Sequence, residues 1–149
     1  MIRFLFSFDE IPQELVTEYS AFYVVDGSIR LESSNGIVFE EEGVPLVELA
    51  VWLLRWMASN KAVCSFMPNG CDEDYGPMLH LAPIGNNTYC LSYNYTDEKT
   101  TTTTTNALTA TLGEWEGVFT QFLEDLRQRV RKKYHLQLDT ILHRFCPIS

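Results

Sequence analysis

Basic side chains are scarce in the first half of this chain. Residues 1–75 hold thirteen acids and four bases, whereas residues 76–149 hold seven of each. The whole formal charge of −9 therefore comes from the N-terminal half. A field of that sign repels nucleic-acid phosphates and anionic lipid and attracts basic partners. Long apolar runs are missing too. The longest, Val44 to Met57, is interrupted by Glu48 and Arg55, and a membrane span needs about 20 apolar residues. The opening MIRFLFSFDE has one arginine and an apolar stretch that stops at Asp9, too short for the apolar region of an export signal. The expected compartment is cytoplasmic. Cys64, Cys71, Cys90 and Cys146 include no CxxC pair, so they are expected as free thiols in a reducing environment.

Motifs that carry chemistry are missing as well. There is no glycine-rich phosphate loop, HExxH, GxSxG or EF-hand pattern. Asp72, Glu73 and Asp74 fail calcium spacing and have no distal glutamate. Cys71, His80 and Cys90 could bring a thiol near an imidazole. Cys64, Cys71, His80 and Cys90 could bind zinc, but their spacing does not match structural zinc sites. No catalytic, cofactor or metal residue is assigned, and the chain reads as a non-enzyme without cofactor.

What is present is a core and two kinds of periodicity. Apolar residues make up 46% and aromatics 13%, enough for one folded domain over residues 1–149. Alternation over 2–8 predicts a strand, with Ile2, Phe4, Phe6 and Phe8 on one face and Arg3, Leu5 and Ser7 on the other. Residues 9–20 read as a short helical or irregular connection. FYVVD (22–26), SIRLES (28–33) and GIVFEE (36–41) then read as consecutive strands, turned at Asp26-Gly27 and Asn35-Gly36. Gly43 is expected to end the last of these. Pro45 suits the first turn of a helix running to Met57, and that helix is apolar nearly all round, as buried helices are. Residues 62–68, 77–84 and 87–95 are strand-like. Of six threonines, 100–105, the first five are expected in a loop over 97–104 and the last opens a strand at 105–112.

The last element has the clearest signal. Apolar residues at 115, 118, 119, 122, 123, 126, 130 and 134 make a helical stripe, and Thr111 with Glu114 offers a capping box. Arg127, Arg129, Arg131, Lys132 and Lys133 crowd its end, where the helix dipole favours cations. They read as a solvated helix face rather than a nucleic-acid patch. The predicted fold is α+β: an antiparallel sheet of about six or seven strands with two main helices packed on one face.

Several stretches together resemble a known group. They are FDEIP (8–12), FYVVDGSIRLE (22–32), FEEEGVPLVELAVWLLRW (39–56), GPMLHLAPIGNN (76–87) and the final amphipathic helix ending in HLQL (135–138). This layout resembles small bacterial proteins that look like immunity proteins of polymorphic-toxin and contact-dependent inhibition systems. The group often has a shorter link where this chain has DEKTTTTTTNALT (97–109). The resemblance implies a protein that binds and neutralises a cognate toxin, and it brings no catalytic residues. A basic toxin would suit an acidic surface. The acids expected at that surface are Glu40, Glu41 and Glu42 at a strand end and Asp72, Glu73 and Asp74 on a loop, with Tyr75 as an aromatic anchor. The expected partners exclude nucleic acid and membrane. Other readings stay open: a homodimer or other self-associating module, then a small-ligand protein or an enzyme using the Cys71, His80 and Cys90 region, and acidity that serves only solubility.

Overall fold

The computed structural model describes residues 1–68, 77–97, 99–100 and 102–145. Seven strands and four helices are present among them, in the α+β class: β1 (Arg3–Phe8), α1 (Ala21–Val24), β2 (Asp26–Ser33), β3 (Gly36–Pro45), α2 (Leu46–Ala58), β4 (Cys64–Phe66), β5 (Leu79–Gly85), β6 (Thr88–Asp97), β7 (Thr102–Thr111), α3 (Leu112–Tyr134) and α4 (Leu138–Phe145). A 3-10 turn at Gln13–Leu15 lies in the connection after β1. All the pairings are antiparallel.

The strands form two sheets, β1-β2-β3 and β4-β5-β6-β7, rather than one sheet of six or seven. β3 and β7 lie side by side, yet no ladder joins them. Aromatic packing links the halves instead: the rings of Phe39 on β3 and Tyr93 on β6 stack at 4.6 Å and 11°. Among the described residues there are three main helices, α2, α3 and α4, not two. The inner faces of both sheets close over α2 and α3. Phe4 of β1 stacks on Phe122 of α3, and Trp56 of α2 meets Phe119 of α3 and Tyr89 of β6 edge-on. Fully burying side chains of this size contributes roughly 1.5–3 kcal/mol each.

The expected faces of β1 hold. Phe4, Phe6 and Phe8 meet Phe122 and Tyr134 of α3. α2 is buried on several sides, at Leu46, Val47, Leu49, Ala50, Val51, Trp52, Leu53 and Trp56. Its neighbours are α1, α3, α4, β2, β3 and β4. The rest of this chain therefore covers the apolar surface of α2. Among the described residues no helix is long and apolar enough to cross a membrane.

Local chemistry explains the departures from expectation. Residues 22–24 are helical, not a strand. The Thr17 hydroxyl accepts from the backbone N–H of Tyr19 and Ser20, and Ser20 Oγ accepts from Thr17 N–H at 2.8 Å. This local bonding curls the chain despite its β-branched residues. Asp26-Gly27 is not a turn but the start of β2, with Gly27 between Phe8 and Val44. A Cβ there would lie 1.9 Å from the Ser7 carbonyl oxygen, so glycine serves close approach of backbone, not turning. The second hairpin forms at Ser34-Asn35, followed by Gly36 with φ +118°. Gly43 does not end β3. It holds φ +67° where Glu42 and Gly43 together oppose Ser28, a β-bulge that lets the strand run on to Pro45. The threonine run is strand from Thr102, paired Asp97↔Thr102 through Thr88↔Thr111, as β-branched residues favour.

The α3 prediction is matched in detail. Thr111 and Glu114 form the capping box, and His135 closes the helix at φ 57°.

Candidate functional site: an acidic groove beside β3

Strand alternation divides the glutamate cluster. Phe39 and Glu41 stand on the inner face of β3, opposite Leu31 and Ile29, while Glu40 and Glu42 point the other way. Glu41 lies where the core ends, and its carboxylate accepts a hydrogen bond from the Tyr93 hydroxyl. Burial raises the Tyr93 phenol above its ordinary range, and the Glu41 bond and charge add to the effect. Glu40 and Glu42 are exposed and have no ion-pair partner among the described residues. Arg30 sits opposite Glu40 in the ladder, but its guanidinium turns to Glu32 at 3.0 Å, and Arg3 reaches the same carboxylate group at 2.7 Å.

All three glutamates line one open groove of about 530 Å³. Ser28 of β2, Tyr93 and Tyr95 of β6, and Thr104 and Asn106 of β7 complete its walls. Tyr93 pairs with Asn106 and Tyr95 with Thr104, so these four project from the same, inner face of the second sheet. Tyr95 is 52% exposed. Three carboxylates, two tyrosines and three small polar residues line the groove, with no base among them. Such a lining accepts hydrogen bonds from cations, and the Tyr95 ring offers a face to them.

The sequence placed Glu40, Glu41 and Glu42 at a partner surface, and the structure brings them together in this groove. Asp72, Glu73, Asp74 and Tyr75 lie outside the described residues, as do Cys71 and Cys146. Tyr93, Tyr95, Thr104 and Asn106 were missed. Their signal was the tyrosine alternation of β6, but nothing in the sequence says that β6 and β7 come to lie beside β3.

The thiol and imidazole residues form a different arrangement. Cys64 stands opposite Leu81, on the inner face. Burial raises its thiol, against hydrogen bonding that involves Trp52 and the Ser65 backbone. His80 pairs with Ser65 and Ser92 on the outer face, and its Nδ1 lies 2.8 Å from Ser65 Oγ. Cys90 is on that face too, 3.8 Å from Ser92 Oγ. Cys64 and His80 are thus on opposite faces, and among the described residues no group of three potential metal ligands occurs.

The basic run at the end of α3 is largely engaged within the molecule. Arg127 bonds Glu124 at 2.5 Å and Asp139 of α4 at 3.0 Å. Arg129 donates to the Phe6 carbonyl at 3.0 Å and covers the Phe6 ring. Lys133 lies over the rings of Phe8 and Tyr134. It is a docking face as much as a solvated one.

Comparison with known proteins adds a family without a function. No curated protein and no solved structure matches the chain. A model for a domain of unknown function, DUF7878, matches residues 4–132. That span covers β1 through nearly all of α3, including every described groove residue, and the chain belongs to the DUF7878 family.

Proposed function

We propose that this chain is a non-catalytic binding protein that holds a basic protein partner at the β3 groove. In this reading the partner is a cognate toxin and the chain its immunity protein in the cytoplasm. The observation that carries the proposal is the groove itself: Glu40 and Glu42 are exposed, Glu41 is held in place by Tyr93, and among the described residues neither exposed glutamate has an ion-pair partner and no base lines the walls. An acidic surface of this kind speeds encounter with a cationic protein and selects against acidic ones. A neutraliser needs only to cover its target, so the groove requires no chemistry of its own. The test is co-expression with the partner, once it is identified by capture from the cells that make this chain. The native chain should restore growth to cells that make the partner, and Glu40→Lys/Glu42→Lys should not. Equal protection by both would remove the groove from the account.

One observation favours a second reading, self-association. Tyr19 and Tyr23 are 73% and 65% exposed. Beside them Phe22 stacks on Phe145 at 4.2 Å, and Arg144 covers the Tyr19 ring. Clustered aromatics with an arginine suit an interface. Sedimentation equilibrium distinguishes the two readings: a monomer at high micromolar concentration counts against self-association.

A further inference from the structure

We propose that the pocket at the corner of α3 and α4 binds a small phosphate-bearing ligand, either a free oligophosphate or a nucleotide. This goes beyond the partner-binding reading and uses none of the acidic groove. An open cavity of about 520 Å³ lies at that corner, lined by Gln128, Arg131, Lys132, His135 and Gln137. Its volume suits a small molecule. The first four lie three or four residues apart, so they share one face of the helix end. All five are exposed, and no acid is among them. The pocket sits where α3 ends and α4 begins, so the negative end of one helix dipole meets the positive end of the other. The side chains therefore decide its sign.

The other bases of the run are engaged within the molecule. Arg127 holds Glu124 and Asp139, Arg129 holds the Phe6 carbonyl, and Lys133 lies 4.0 Å from Glu10. The acids nearest in sequence are engaged too, for Glu124 also accepts from Gln128 and Asp125 accepts from Gln121. Among the described residues Arg131 and Lys132 have no ion-pair partner, in a chain with twenty acids and eleven bases. Two cations side by side over a cavity are complemented by an anion. A phosphate offers three acceptor oxygens in different directions, which suits an arginine fork, an ammonium and an imidazole lining one cavity. A carboxylate offers two in one plane, and a single arginine satisfies it. The field sets the size. A net charge of −9 repels long polyanions and acidic proteins, whereas a ligand inside the pocket lies within a Debye length, about 8 Å, of its bases.

The test uses the full chain and three probes, pyrophosphate, ADP and citrate, at low salt without divalent cations. Binding is read by calorimetry and by amide NMR shifts. At least one of the two phosphates should bind with a Kd of about 1 mM or tighter, with shifts confined to residues 128–137. ADP binding more tightly than pyrophosphate assigns a nucleotide; ADP binding no more tightly assigns a free oligophosphate. Citrate, of similar charge, should bind at least fivefold more weakly than the better phosphate. Arg131→Gln should weaken that phosphate at least fivefold and leave the thermal melt unchanged. Arg129→Gln makes the same change of charge two residues away, outside the pocket, and should leave binding as it is. Failure of both phosphates to bind overturns the proposal. Equal loss in Arg129→Gln and Arg131→Gln overturns it too, because charge attraction alone is then at work. Citrate binding as tightly as either phosphate overturns the assignment of phosphate.

Discussion

Two charge runs look alike in the sequence and end differently in the fold. Glu40–Glu42 sits on a strand, Arg127–Lys133 on a helix. The helix places Arg127, Arg129 and Lys133 against Glu124, Asp139, Phe6 and Phe8, so much of the basic run is used in holding α3 to β1 and α4. The strand gives one carboxylate, Glu41, to Tyr93 and turns the other two outward. A charge run in a sequence therefore does not show whether its charges are available. The period of the element, and what lies within reach, decide that. Here the acids are the available set, which fits the net charge of −9.

The largest effect is expected where the comparison loses its scaffold. Gly27→Ala would push a Cβ to 1.9 Å from the Ser7 carbonyl and force β1 and β2 apart. Urea denaturation should show a loss of at least about 3 kcal/mol, and the groove should fail with the sheet. Next is the acidic run itself. Glu40→Lys/Glu42→Lys should weaken partner binding roughly 100-fold, chiefly through slower association, while stability changes by less than about 0.5 kcal/mol. Surface plasmon resonance and a thermal melt read the two effects separately. Tyr93→Phe should cost about 1–2 kcal/mol in a denaturant melt, because it takes the Glu41 carboxylate's donor away at the margin of the core. Arg129→Gln should cost about 1 kcal/mol or less and leave partner affinity unchanged, since this base serves the fold.

The smallest expected effect is a pH dependence at Asp26. Burial raises its carboxyl above the ordinary value of 3.8, with the charge of Asp9 second. The folded chain holds this proton more tightly than the unfolded one, so the ionised carboxylate disfavours folding at neutral pH. Asp26→Asn should then raise the melting temperature at pH 7, and the gain should fade as pH falls toward 3.8. An unchanged gain down to pH 3 would mean that the substitution acts by some route other than charge.

Much of the fold was legible, for physical reasons that can be named. α3 carries its own stripe, cap and dipole pattern, all local in sequence, and it appears as expected. The period-two faces of β1 and the turn before Gly36 were equally local. Most failures came from distant partners or competing local bonds. Residues 22–24 have strand-like side chains but are curled by Thr17 and Ser20. Gly27 looked like a turn glycine because the approach of Ser7 is invisible in the sequence. Gly43 looked like a stop because a bulge and a strand end call for the same residue. Composition was misleading for the threonines, which read as a loop and pair as a strand against β6. At the groove, the acids were legible as charge. The tyrosine wall was not, because it depends on two sheets meeting through Phe39 and Tyr93 without a ladder between them.

The most direct measurement is a low-salt capture of proteins from the cells that make this chain, using the native protein and Glu40→Lys/Glu42→Lys side by side. Each is eluted by a step from about 0.1 to 0.5 M salt, over which exposed charge pairs are screened. One basic protein is expected, released in that step from the native chain and absent from the variant. The same protein held equally by both, or an acidic one released, would contradict it.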